Sequence, residues 1–136
     1  MNKMLIGTDF DGTLNRGGIS QDDRNAIAKW RKDGNLFGVV TGRDISSIEH
    51  EMRKLEMEYD FLVSNNGGEA YSGSGERLFS HTVDKSHLRK LVKYCYDNGG
   101  IGCGCAHDHV QSNVFNKERG PKEREEEVVL GIEKLV

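Results

Sequence analysis

Short apolar runs, each closed by polar or turn-forming residues, set the rhythm of this chain. Met4-Leu5-Ile6 gives way to Asp9 and Asp11, so a buried strand is predicted over residues 4–9. Ser20, with Asp23 three residues on, forms an N-terminal capping pattern; a helix over 21–32 follows, with Ala26, Ile27 and Trp30 on its core side and Gly34 as its stop. Trp30 reads as core rather than as a binding aromatic. Leu36-Phe37-Gly38-Val39-Val40 is a second buried strand, closed by Thr41-Gly42-Arg43. Asp44 caps a further helix whose Ile45, Ile48, Met52 and Leu55 form one apolar stripe, with His50 off it and solvated. Residues 59–63 make a third strand, and 69–71 with 77–81 a hairpin around Ser72-Gly73-Ser74-Gly75. No helix opening with Gly-Lys-Ser/Thr follows that tip, so it is not a phosphate loop.

Beyond residue 82 the pattern restarts. Asp84 caps a helix with Leu88, Leu91, Val92 and Cys95 on one face, which makes Cys95 a packed thiol. Asn98-Gly99-Gly100 ends it, and strands follow around 103–109 and over 110–115. Gly120-Pro121 opens a last helix, with Glu123, Glu125, Glu126 and Glu127 near its N-terminus and Val128, Val129, Ile132 and Leu135 on its apolar face. Strand, helix and strand joined this tightly form βαβ units, so the expected class is α/β with a parallel sheet. The expected domains are a core over 1–82 and a second, smaller unit over 83–136.

Composition narrows the class. The 136 residues suffice for one modest domain, and 35% hydrophobic residues with 17 Gly and 1 Pro suit a folded protein rich in tight turns. A net charge of -3 gives no electrostatic case for nucleic acid. No apolar run is long enough to span a bilayer, and acid follows the N-terminus too soon for a secretory signal. A cytoplasmic protein is expected, and Cys95, Cys103 and Cys105 do not suggest a disulfide framework.

The candidate chemistry begins at Thr8-Asp9-Phe10-Asp11-Gly12-Thr13-Leu14. On extended backbone, residues two apart point the same way, so Asp9 and Asp11 are expected to face one pocket beyond the first strand. Gly12 permits a sharp turn, and Thr13 offers a hydroxyl beside it. Carboxylates at the end of a parallel strand suit a hard cation such as Mg²⁺. The second strand ends at the same edge, which brings Thr41 beside them.

Cys103-Gly104-Cys105-Ala106-His107-Asp108-His109 invites a zinc or copper reading. Alternate side chains along a strand stand about 6.5–7 Å apart. Four of them reach far beyond one ion with bonds of about 2.0–2.3 Å. The expectation is therefore a strand pair, with His107 or His109 left as a residue facing substrate.

The string Asp9-Phe10-Asp11-Gly12-Thr13-Leu14 resembles the first motif of the haloacid dehalogenase-like hydrolases. Thr41-Gly42-Arg43 is similar to the second motif of their Cof-type and sugar-phosphatase members. The resemblance covers residues 1 to about 68. It implies a Rossmann-like core interrupted by an α/β cap that starts near residue 83. It further implies a Mg²⁺-dependent phosphatase of small phosphorylated metabolites, working through an aspartyl-phosphate. Asp9 would be the nucleophile and Asp11 the general acid/base. Thr41, Gly42 and the amides near Phe10 would hold the phosphoryl group, and Asp9 with Asp11 the metal. Arg43, Asn66 and Gly67 would lie near substrate. The competing reading of Asn66-Gly67 is a plain hairpin turn.

The family's third motif, with its Lys, and its fourth, with further acidic ligands, are not found in these residues. The chain alone is thus expected to be a weak or inactive phosphatase. Its alternative role is a non-catalytic module that binds phosphate or a partner subunit. With the family's next strand missing, the first strand becomes an apolar edge, so self-association or a complementing C-terminal chain is expected. A response-regulator receiver would need an acceptor Asp after the third strand, and Val63-Ser64-Asn65 supplies none.

Overall fold

The computed structural model describes residues 2–116. The chain forms two compact units, Met1–His81 and Thr82–Val136.

The first unit runs β1 (Leu5–Thr8), α1 (Gln21–Lys32), β2 (Leu36–Val40), α2 (Ile45–Lys54), β3 (Phe61–Ser64), a 3₁₀ turn (Asn65–Gly67), β4 (Glu69–Ser72) and β5 (Arg77–Ser80). They build one sheet in the order β1-β2-β3-β4-β5. The β1–β2 and β2–β3 pairs are parallel, as two consecutive βα units require, and the hairpin β4–β5 extends the sheet antiparallel.

Both helix starts follow from side-chain caps. Ser20 Oγ accepts from the Asp23 main-chain N–H at 3.1 Å and donates to Asp23 Oδ2 at 2.8 Å. Asp44 Oδ1 accepts from Ser47 N–H at 2.9 Å. The buried stripe of α2 is Ile45, Ile48 and Met52, and it shares the core with Phe37 and Val39 of β2 and Leu62 of β3. Each such fully buried side chain contributes about 1.5–3 kcal/mol relative to exposure. Ile27 and Trp30 of α1 pack against the same cluster, and the Trp30 indole N–H donates to Leu36 O at 2.9 Å.

The third strand begins at Phe61, two residues later than the pattern suggests. Asp60 is engaged otherwise: its carboxylate takes Arg31 Nε and Nη2, each at 3.0 Å, and the Phe37 N–H at 2.9 Å. This pair ties α1 to the start of β2 and β3.

The Phe61 ring lies over Gly38, leaving no space for a Cβ there. At the sheet margin, β1 has β2 as its neighbour among the described strands. Met4, Leu5 and Ile6 are 57%, 62% and 42% exposed. Among the described strands, β1 is thus an apolar edge.

In the second unit, α3 (Lys85–Asp97) is capped by Asp84, and β6 (Gly102–His107) pairs antiparallel with β7 (Val110–Asn116). Val92 is buried with Leu88, Tyr96, Cys103 and Cys105 around it. Leu91 and Cys95 are exposed, contrary to the expected stripe. The helix uses the i, i+4, i+8 line of Leu88, Val92 and Tyr96 instead. Burial in this cluster pushes the Cys103 thiol up and the Cys105 thiol to about 11, so both stay protonated at neutral pH. A metal would need thiolates there. The helix expected from Gly120-Pro121 lies outside the described residues.

Candidate active site

Strand β1 stops at Thr8, so Asp9 and Asp11 stand in a turn rather than on extended backbone. Phe10 is fully buried and anchors that turn. Its carbonyl accepts from Thr13 N–H at 3.3 Å and Asn15 N–H at 2.9 Å, while Asp9 O accepts from Leu14 N–H at 3.2 Å. Gly12 sits at φ 76°, a conformation that glycine adopts without steric cost. Each carboxylate therefore meets its own partner. Thr13 Oγ1 donates to Asp9 Oδ2 at 3.0 Å, and the Asp9 side chain is otherwise open to solvent. Asp11 is gripped by Arg43, whose Nε and Nη2 donate to its two oxygens at 2.7 Å each.

Arg43 is in turn held by Ser47 Oγ at 3.1 Å and by the Glu51 carboxylate at 3.9 Å. Its guanidinium carbon lies 5.3 Å from the centre of the Phe10 ring. The bidentate Arg43 contact holds the Asp11 carboxyl below its ordinary value, against a smaller opposing effect of burial.

Thr41 is buried directly after β2. Its main-chain N–H donates to Val63 O at 2.9 Å, and its hydroxyl oxygen accepts from Arg43 N–H at 3.2 Å. A hydroxyl that accepts in this way keeps its own proton free to donate. Parallel pairing of β1 and β2 puts the Asp9–Asp11 turn and Thr41-Gly42-Arg43 at the same sheet end. The Arg43–Asp11 pair joins the two segments directly.

Asn66 and Gly67 do not form a two-residue hairpin turn. They belong to a four-residue connection between antiparallel β3 and β4, and Asn66 has φ 54° and ψ 35°. Asn65 N–H donates to Arg43 O at 2.8 Å and Asn66 N–H to Thr41 O at 3.1 Å. The structure thus places Asn66 against the segment carrying Thr41, Gly42 and Arg43.

For a cation, the Asp9 carboxylate and the Asp11 main-chain carbonyl supply hard oxygen donors beside the strand end. That fits Mg²⁺, which is held by one or two carboxylates and completes its shell with water and substrate oxygens. No group of three or more His, Cys, Asp or Glu side chains suited to a metal occurs among the described residues.

Sequence patterning singles out Asp9, Asp11, Thr13 and Thr41 as candidates. It missed Ser47 and Glu51, which orient Arg43, and Glu69, which supports the Asn65 turn. Nothing local marks any of these three residues; only the fold brings them to the site.

In open α/β sheets ligands bind in the crevice outside the carboxyl ends of the strands, and that is the end where Asp9, Asp11 and Thr41 stand. A family model described as haloacid dehalogenase-like hydrolase matches residues 6–133, and the chain belongs to that family. A haloacid dehalogenase-like hydrolase from Bacillus subtilis shares the fold with a TM-score of 0.72 at 18% identity, over 96% of this chain and 50% of that one. A subclass IIB sugar phosphatase of the same superfamily gives 0.65 at 22% identity, over 82% and 44%. An uncharacterized protein of Mycoplasma capricolum subsp. capricolum is 29% identical over 101 residues, which are 69% of this chain and 37% of that protein. The chain spans about half the length or less of these relatives.

Proposed function

We propose that this chain carries the nucleophilic half of a Mg²⁺-assisted phosphatase acting on small phosphorylated metabolites. The observation that supports it is the meeting of Asp9, Asp11 and Thr41 at one sheet end, with Arg43 bridging the two motifs. Asp9 attacks phosphorus and the ester P–O bond breaks, giving an aspartyl-phosphate and an alcohol that takes its proton from Asp11. Water then attacks the phosphorus, Asp11 recovers the proton, and orthophosphate leaves with Asp9 restored. Thr13 orients the nucleophilic carboxylate through its 3.0 Å hydrogen bond. Thr41 Oγ1, the Gly42 amide and the amides flanking Phe10 hold phosphoryl oxygens. Bound Mg²⁺ supplies neutralisation of the charge on the transferring group. Because Arg43 donates to both oxygens of Asp11 and favours its ionised form, that pair must open and Asp11 must take up a proton from water before it can protonate the leaving alcohol.

The unit following residue 82 is read as the start of an α/β cap, and the setting as cytoplasmic. Free Cys95, Cys103 and Cys105 accord with a reducing compartment. No helix among the described residues is long and apolar enough to cross a membrane.

A second reading, a module that binds phosphate or a partner subunit without turnover, is favoured by the exposed apolar edge of β1. Hydrolysis of p-nitrophenyl phosphate with Mg²⁺ separates the two. Under the first reading, Asp9→Asn abolishes turnover and Asp11→Asn slows it severely while leaving phosphoryl capture. Turnover that survives Asp9→Asn contradicts it.

A further inference from the structure

Glu69 stands at the start of β4, opposite Ser64, and is 2% exposed. A carboxyl group so enclosed is costly unless hydrogen bonds satisfy it. Its Oε2 accepts from Asn65 Nδ2 at 2.9 Å, and Ser80 Oγ lies at 3.5 Å from Oε1. Asn65 itself is unusual. Asn65, Asn66 and Gly67 have φ of 50°, 54° and 92°, so three successive residues are left-handed and two of them carry side chains. Such backbone persists only where its surroundings over-determine it, and it gathers at working sites.

The turn is aimed at the phosphate-handling segment. Asn65 N–H reaches Arg43 O and Asn66 N–H reaches Thr41 O, so the two amides grip Thr41-Gly42-Arg43 from outside. The Asn66 amide also lies on Gly42: its Oδ1 is 2.8 Å from where a Cβ on that residue would stand. These contacts form one connected path: Glu69 to the Asn65 side chain, the Asn65–Asn66 backbone to residues 41–43, and those residues to the proposed phosphoryl site.

We propose that Glu69 is a positioning residue for the phosphate-binding segment Thr41-Gly42, acting through the left-handed Asn65-Asn66-Gly67 turn. The proposal rests on the phosphatase reading for the role of Thr41. Without the carboxyl acceptor, the Asn65 side chain loses its anchor. The left-handed pair then relaxes toward ordinary backbone, and both amides swing off residues 41–43.

The test is titration of the isotope-labelled chain with orthophosphate and Mg²⁺, read at the Thr41 and Gly42 amides by NMR. In the wild type these amides should shift on binding. Glu69→Ala should move the Asn65 and Asn66 amides before any ligand is added. It should also weaken orthophosphate binding about tenfold, the scale on which a supporting hydrogen bond acts on the group it orients. Adding Asn65→Gly to Glu69→Ala should restore most of that binding, because glycine takes the left-handed conformation without an anchor. A residue needed only for stability would not give this rescue. Should Glu69→Ala not fold, Asn65→Ala breaks the same link from its other end and should weaken binding to a similar degree. Wild-type affinity in whichever folded variant is read, or a loss that Asn65→Gly does not repair, overturns the proposal. No shift at Thr41 or Gly42 in the wild type overturns the phosphate reading and this proposal with it, whereas the ligand-free shifts of Asn65 and Asn66 report on the Glu69 link alone.

Discussion

Arg43 closes on Asp11 through two hydrogen bonds of 2.7 Å, across 32 residues of chain. The pair joins the turn after β1 to the segment after β2 and sets the resting charge of the site. Planar bidentate contact of this kind needs a guanidinium, so lysine is not an equivalent substitute. Asp11 has its carboxyl held below the ordinary 3.8 by this contact. Arg43→Gln should therefore raise the Asp11 pKa toward that value. Carbon-detected carboxyl titration of wild type and variant checks it; an unchanged Asp11 midpoint would show that the pair does not form in solution.

Acid should loosen the Asp60–Arg31 tie. The Arg31 hydrogen bonds lower the folded-state pKa of Asp60 from 3.8, so the unfolded chain binds its proton first as pH falls. The stabilisation is present in full above about pH 4 and is lost below it, as pH falls through the depressed folded value. Asp60→Ala removes a partly buried acceptor of three hydrogen bonds and should cost about 1–3 kcal/mol at pH 7. The difference from wild type should shrink toward pH 3. Urea unfolding at the two pH values measures it, and a pH-independent difference would contradict the assignment.

Gly38 is required by the Phe61 ring and the Phe61 carbonyl, which occupy the space a Cβ would fill. Gly38→Ala should destabilise the first unit by about 1–3 kcal/mol through overpacking. The double variant Gly38→Ala with Phe61→Leu should recover part of that loss. Thermal melts of the single and double variants decide this.

The exposed edge of β1 should drive association. Among the described strands β1 pairs on one side alone, with β2, and Leu5 and Ile6 give its other edge apolar character without an inward charge or proline. Sedimentation should show the chain shifting to dimers or larger species as concentration rises, and Leu5→Lys should suppress the shift. A wild type that stays monomeric at high concentration would show that the edge is covered.

The elements were legible wherever local chemistry decides them. The bounds of α1 follow from the Ser20–Asp23 capping pattern and Gly34, and those of β2 from an unbroken apolar run between turns. Asp9, Asp11, Thr13 and Thr41 were legible because a strand end with carboxylates and hydroxyls is a local pattern. What escaped was set by contacts distant in sequence or by backbone detail. Asp60 reads as a strand residue until Arg31 arrives from α1. Cys95 falls on an apolar stripe by spacing, yet α3 rotates to bury the Leu88–Val92–Tyr96 line. Glu69 looks like a polar strand residue, and nothing local signals its burial beside the left-handed Asn65–Gly67 turn.

If the chain acts as a phosphatase, the part of its relatives' length that it does not span should matter to its rate. Alone, the chain should hydrolyse p-nitrophenyl phosphate feebly, and a supplied C-terminal half from a full-length relative should raise the rate. Robust turnover by a monomer of the 136-residue chain would contradict this dependence.

The central claim is that Asp9 is the phosphoryl acceptor, and beryllofluoride trapping with Mg²⁺ tests it most directly. Fluorine NMR of the chain with the complementing half should show a bound beryllofluoride that survives Thr13→Ala in weakened form and is lost in Asp9→Asn. A bound signal that persists in Asp9→Asn, or one that fails to form in the wild type, would contradict the account.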